Sequence, residues 1–308
     1  SFFEYKGIDW GAVRATYEPQ VTPDMSEAAL FDILADMLFE LEDGHVNLVS
    51  DFDRSRNWQW FLSGEPNYDY SVLEREYFTD GSGRSVHQYV GDAFILMDFP
   101  DPAGDVGYIH YRSFGSPVRE ADMDYVIERF RDHAGLIIDV RNNGGGSISN
   151  VFAIADRLTD TLARVATEYT KSGPGHDDFS GPRPIYLAPV AGKEAYTRPI
   201  VVLTNRACYS ATNYFVTAVR ELPHVTTMGD WTGGGGGVPS YTQLTNGWGL
   251  RVSSTRLYSV DESGTLAADP GNVEGGVAPD IVATSTEADL ANGIDQILED
   301  ALAYIRGL

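Results

Sequence analysis

The chain of 308 residues is 43% hydrophobic and 12% aromatic, a globular composition that excludes wholesale disorder and allows one large domain or two smaller ones. Its 22 Lys and Arg against 45 Asp and Glu give a net charge of −23, which sets it against nucleic acid and anionic membrane surfaces. A single cysteine, Cys208, excludes an internal disulfide framework and a multi-cysteine zinc site, and no apolar run of about 18 residues is present to span a bilayer.

The chain opens SFFEYKGIDW, without a charged region followed by an apolar one, which leaves room for a signal or lipoprotein anchor ahead of Ser1. From Ser26 to Leu41, apolar residues at helical spacing (Leu30, Ile33, Leu34, Met37, Leu38, Leu41) predict a helix, with Asp24 and Glu27 as its capping pair. It runs directly into LEDGHVNL. The polar, aromatic and irregular stretch over 51–90 reads as a linker with short strands.

Ala93 to Phe99 and Gly107 to Phe114 are strand candidates, followed by a helix that turns Met123, Val126, Ile127 and Phe130 inward and closes at Gly135. GLIIDV is a continuous apolar run. It leads through RNNGGGS into a helical stretch from Asn150 to Leu158, a strand, turn and helix unit. Residues 162–198 read as a loop-like insertion flanking a cleft. The alternation resumes with PIVVLTN, a turn over 206–209 and a helix carrying Ala211, Phe215, Ala218, Val219 and Leu222. VTTMGD, the glycine run TGGGGG, the strand candidate GLRVSST and a polar stretch ending in EGGVAPDI follow. One terminal helix carries Leu290, Ile294, Ile297, Leu298 and Ile305. Such alternation predicts an α/β fold.

Two turns carry candidate chemistry. Ser210 falls at a helix N-terminus, where free N–H groups and the helix dipole favour developing negative charge, so it reads either as a nucleophile or as an N-cap. DVRNNGGGS, at Asp139 to Ser147, also opens from a strand onto a helix, and its glycines permit close backbone approach. Its spacing matches neither GxGxxG nor GxxxxGK[ST]. An oxyanion donor from the N–H of Gly145 or Gly146 is the coherent alternative to a phosphate site.

Taken in order, GLIIDVRNNGGGS, PIVVLTNRACYSATNYF, GDWTGGGGGV and EGGVAPDI closely resemble the tail-specific, or C-terminal processing, protease family of serine peptidases, which includes the tricorn core protease. LEDGHVNL and GYIHYRSF are similar to further family segments. The resemblance implies a crotonase-like α/β core, a small helical N-terminal region, no cofactor, and endopeptidase action on protein or peptide substrates. It divides the chain into an N-terminal helical region over 1–50, the 51–90 linker and a catalytic core over 91–308. The family's nucleophile, the serine of S-A-x-E, falls on Ser210, while its glutamate is replaced by Asn213.

In the processing-protease branch the base is a lysine about 25 residues after the serine, where this chain has Gly235; its three lysines, Lys6, Lys171 and Lys193, all precede Ser210. The tricorn-like branch uses instead a histidine, which falls on His45, a neighbouring hydroxyl, where this chain has Gly44, and a glutamate, approximately matched by Glu274. An imidazole is a suitable base when a carboxylate orients its other nitrogen. A solvated or core-capping histidine is the plainer reading of His45, and an exposed loop acid that of Glu274. His110 is the rival base. The resemblance further implies an oxyanion hole of Gly145 or Gly146 with Ala211, and Arg141 as structural support for that turn. About 50 residues separate His45 from Ala93, too few for a PDZ domain of about 90 residues, so the cleft itself would recognise substrate.

These observations imply a serine endopeptidase in an extracytoplasmic bacterial setting, with Ser210 as nucleophile and His45 as base. The absent lysine, Gly44 and Asn213 leave open a catalytically weak or inactive protein that binds a peptide or apolar ligand on the same fold. An acyl-CoA enzyme of the crotonase type fits less well, because the acidic chain offers no basic phosphate patch.

Overall fold

The computed structural model describes residues 3–58, 64, 66–260 and 271–308. Part of the expected 51–90 linker and the 261–270 portion of the polar stretch before EGGVAPDI lie outside the described residues. Helices α1 (Phe3–Lys6), α2 (Trp10–Tyr17) and α3 (Glu27–Phe39) lead to β1 (Asn47–Val49). Ser26, rather than the expected Asp24, caps α3 by accepting from the Ala29 N–H.

The central sheet has seven strands: β2 (Gln88–Val90), β3 (Phe94–Phe99), β4 (Val106–Tyr111), β5 (Gly135–Asp139), β8 (Ile200–Thr204), β9 (Val225–Gly229) and β13 (Ile281–Val282). Its order is β13-β9-β8-β5-β4-β3-β2, parallel from β13 to β4 and antiparallel at β3 and β2. The sheet therefore begins inside the stretch read as linker. Alternation of side chains explains its two buried faces. Leu136, Ile138, Ile200 and Val202 point into a core shared with α4 (Glu120–Phe130), α5 (Ile148–Ala155) and α6 (Ala211–Val219). Ile137, Val201 and Leu203 point the other way, against Ile297, Leu298, Ala301 and Leu302 of the C-terminal helix. This is the expected α/β architecture.

Two corrections concern element boundaries. The 162–198 stretch is not a loop but carries β6 (Ala163–Lys171) and β7 (Phe179–Leu187), which pair antiparallel. The prolines and glycine of FSGPRPIYL fit an outer strand, since among the described residues β7 bonds only β6. The terminal helix is two, α7 (Glu287–Ala291) and α8 (Gln296–Arg306), because Asp295 caps α8 by accepting from the Leu298 N–H.

Strands β10 (Pro239–Gln243), β11 (Gly249–Ser253) and β12 (Thr255–Ser259) follow the glycine run. β11 lies between β1 and β10 in one three-stranded sheet, and β12 pairs with β6 in another. The β1–β11 pairing ties the N-terminal region to the core. A third apolar cluster, around Phe31, Leu38, Val46, Leu48 and Trp248, seals that junction.

Candidate active site

The turns after β5 and β8 leave the carboxyl ends of parallel strands, where open α/β sheets place their crevices. Residues 139–147 and 205–210 are stitched together there. The Tyr209 N–H donates to the Asn143 carbonyl at 3.1 Å, and the Asn205 amide donates to Asn142 Oδ1 at 2.8 Å. Beneath them, the fully buried Arg141 guanidinium bonds Asp139 at 2.6 Å and Asp295 at 2.7 Å and lies 4.3 Å from the Tyr68 ring. Arg141 thus anchors the turn to the start of α8.

Ser210 occupies the N-cap position of α6, yet its side chain makes no capping hydrogen bond. Its backbone lies at φ 59°, ψ −120°, a conformation rarely adopted by non-glycine residues. The Gly234 carbonyl holds it by accepting from the Ser210 N–H at 2.9 Å. Ser210 Oγ instead lies 2.8 Å from Nε2 of His45.

His45 sits between α3 and β1 and is 3% exposed, so it is not a solvated residue. Its backbone N–H donates to Asp43 Oδ1 at 2.8 Å. Burial lowers its pKa to about 4; Asp43 opposes that shift and Arg251 and Lys6 add to it. The imidazole is therefore neutral at pH 7. No hydrogen bond completes its buried Nδ1 among the described residues, and the Gly237 backbone joins Asp43 in favouring the protonated ring. His110, the rival base, is buried elsewhere, 3.2 Å from the Tyr68 hydroxyl and stacked on Tyr70.

Glu274 does not meet His45, contrary to expectation. It is 0% exposed rather than a loop acid, with Lys6 Nζ at 3.2 Å from Oε1 and the Gly237 N–H donating to Oε2 at 3.3 Å. An ammonium is a stronger partner for a buried carboxylate than a neutral imidazole, which is why it turns that way. Burial raises its pKa to about 7 while Lys6 pulls it back. The acid closest to His45 in sequence is Asp43, which the sequence reading passed over. An acid two residues ahead, accepting the histidine's own N–H, was the available signal.

Of the expected oxyanion donors, Gly145 is already engaged, its N–H donating to Asn143 Oδ1 at 3.0 Å. Its own position still matters: at φ +98°, a Cβ would stand 2.6 Å from the Tyr209 carbonyl and 2.8 Å from the Ala211 nitrogen. The Gly146 and Ala211 N–H groups make no hydrogen bond among the described residues. Gly44, His45, Gly146, Tyr209 and Ser210 line a cleft of about 330 Å³, together with Trp58 and Arg251.

The departures from the family pattern acquire structural reasons. Asn213 is fully buried, donating to the Val273 carbonyl at 3.0 Å and accepting from Thr232 Oγ1 at 2.6 Å, so it braces the loops behind the site. At Gly235, where a lysine base would stand, φ is +74° and the Tyr209 ring fills the adjoining space. Cys208 is wholly buried, donates to the Val140 carbonyl, and has its pKa pushed up to about 12, so it is no competing nucleophile.

Comparison with known proteins gives a consistent assignment. The model of peptidase family S41 matches residues 105–283, and that of the tricorn protease C1 domain matches residues 1–39. The chloroplastic C-terminal processing peptidase of Tetradesmus obliquus is 28% identical over 179 residues, 57% of this chain and 34% of its own. The chain spans about a third of the length of the curated relatives it matches. A crystal structure of a candidate peptidase from Parabacteroides merdae is 38% identical with a TM-score of 0.87, over 99% of this chain and 91% of that one. Mature CPAF complexed with lactacystin shares the fold at 13% identity, with a TM-score of 0.68 over 99% and 93% of the two chains. With the family model covering more than half of the chain, the protein belongs to peptidase family S41, a family of serine peptidases.

Proposed function

We propose that the protein is a serine endopeptidase that cleaves peptides or unfolded proteins through an acyl-enzyme on Ser210, with His45 as general base. The observation that carries this reading is the 2.8 Å approach of His45 Nε2 to Ser210 Oγ at the mouth of the cleft. Neutral His45 takes the hydroxyl proton as Oγ attacks the scissile carbonyl. The Gly146 and Ala211 N–H groups receive the oxyanion, and the imidazolium returns its proton to the leaving amine. A water then repeats the sequence to release the acid. Asp43 stabilises the imidazolium by charge, and Glu274 acts at one remove by holding Gly237 beside the ring.

The 1–50 region is then part of the catalytic unit, since it supplies the base, and the cleft itself selects substrate. Among the described residues, no helix is long and apolar enough to cross a membrane. We place the protein outside the cytoplasm, on the strength of its likeness to processing proteases.

Labelling with a fluorophosphonate, followed by peptide mapping, tests the assignment. The expected adduct is on Ser210, and both labelling and peptide hydrolysis disappear in Ser210→Ala. An unlabelled Ser210 with tight peptide binding would favour the inactive binding protein instead.

A further inference from the structure

Arg251 is the one residue with a permanent charge among the described residues lining the cleft beside Ser210. It stands at the middle of β11, opposite Asn47 of β1 on one side and Tyr241 of β10 on the other, so its backbone is fixed from both directions. Its Nη1 donates to Asn47 Oδ1 at 3.1 Å, a neutral acceptor. No carboxylate lies within ion-pair distance of it among the described residues, in a chain with 45 Asp and Glu to draw on.

The nearby acid is Asp43, and its oxygens are committed elsewhere. Oδ1 accepts from the His45 N–H, and Oδ2 accepts from Ser253 Oγ at 2.9 Å. Arg54 adds a second positive charge close enough to act on Arg251, alongside the opposing charge of Asp43. Trp58, 46% exposed, offers an apolar wall to the same cleft. A half-buried guanidinium on a strand paired from both sides, with one neutral partner and most of its donor fork unused among the described residues, is suited to receive a planar anion.

We propose that Arg251 is a substrate-carboxylate receptor: it binds a carboxylate of the peptide close to the scissile bond and makes the cleft selective for acidic substrates. The carboxylate comes either from an Asp or Glu side chain or from the substrate's own C-terminus. The inference rests on the reading of Ser210 as the peptidase nucleophile. Binding here orients the chain across the Ser210 hydroxyl and adds no step to the chemistry.

The test uses a peptide library of matched Glu and Gln pairs, each made with a free C-terminal acid and with an amide. Cleavage is read by mass spectrometry for the wild type, Arg251→Gln and Arg251→Lys. The expected wild-type preference for carboxylate over its neutral twin is about tenfold or more in kcat/KM. It falls to about unity in Arg251→Gln, is partly retained in Arg251→Lys, and weakens with salt. A purely structural role would lower both members of each pair equally. Dependence on the Glu/Gln exchange assigns the side chain, and dependence on amidation assigns the terminus. A wild type without preference, or an Arg251→Gln enzyme that keeps it, overturns the proposal.

Peptide binding to Ser210→Ala, with and without Arg251→Gln, reads the same preference without turnover. Absence of fluorophosphonate labelling with the binding preference intact would remove the peptidase reading and leave the carboxylate site standing.

Discussion

Tyr209 and Gly235 interlock: a Cβ at position 235 would stand 2.6 Å from Cε2 and 2.8 Å from Cε1 of the Tyr209 ring, and the backbone there has φ +74°. The chain therefore has no room for a lysine base at that place. Gly235→Lys is expected to destabilise the protein by roughly 2–4 kcal/mol, through overpacking and left-handed strain together, and to confer no new peptidase activity. Urea unfolding of Gly235→Ala, which carries the strain without the charge, checks the stability half.

The buried His45 makes a prediction about pH. Its pKa is lowered to about 4 by burial, so the acid limb of kcat/KM should lie well below the ordinary histidine value of 6.5. Activity should persist in weakly acidic buffer. Asp43 raises that pKa, so Asp43→Asn should move the limb lower still, while kcat falls because the imidazolium loses its nearby anion. A limb at 6.5 or above in the wild type would contradict the burial argument.

Lys6 and Glu274 are 268 residues apart in sequence yet form a buried ion pair, their side chains 10% and 0% exposed. Lys6→Met leaves the carboxylate uncompensated, which costs about 3–5 kcal/mol where it is ionised. Glu274 has a folded pKa raised to about 7, above its unfolded value of 4.5, so the native state holds its proton more tightly. Its contribution to stability is complete below 4.5 and is lost as pH rises through 7. The Lys6→Met penalty should therefore be largest near pH 8 and shrink towards pH 5. Denaturant titrations at the two pH values measure it.

The sequence made some of this legible and hid the rest for physical reasons. GLIIDV and PIVVLTN announce themselves because strands buried on both faces read as unbroken apolar runs, and each ends at a turn where free N–H groups gather. Ser210 could be located from that grammar, and His45 from its resemblance to a family segment. The β6–β7 hairpin was hidden by prolines and glycine in an outer strand. The partner of Glu274 was hidden because nothing local links an acid near the C-terminus to Lys6. Arg251 was hidden because its meaning lies in the ion pair it does not form among the described residues, which only three-dimensional packing reveals.

The turn proposed to receive the oxyanion gives a further test, separate from the proposed nucleophile. Gly145 faces the Ser210 turn so closely that a Cβ would meet the Tyr209 carbonyl and the Ala211 nitrogen. Gly145→Ala should push the two turns apart and displace the Gly146 and Ala211 donors. The expected loss in kcat is about 10²–10³-fold, the scale seen when one oxyanion donor is removed. KM should change far less, and a loss confined to KM would place the turn in substrate binding instead.

Arg141 stands beneath that turn and supports it without reaching the cleft. Its guanidinium is enclosed by Asp139 and Asp295, which come from the end of β5 and the start of α8, and Asp139 also accepts from the Tyr108 hydroxyl at 2.8 Å. Arg141→Met would leave two buried carboxylates facing each other without a cation. Breaking such a network costs about 3–5 kcal/mol, so a strongly lowered midpoint in urea is expected. Asp139 is held below the ordinary carboxylate range: burial pushes its pKa up, but the Arg141 charge and hydrogen bonds outweigh that. A carboxylate with a depressed folded pKa contributes stability above its unfolded value and loses it as pH falls through the folded one. Removing Arg141 reverses that sign, since the stranded acids then gain by taking up protons. The variant should accordingly be less handicapped at pH 5 than at pH 8, and a penalty independent of pH would show that Arg141 acts by packing rather than by charge.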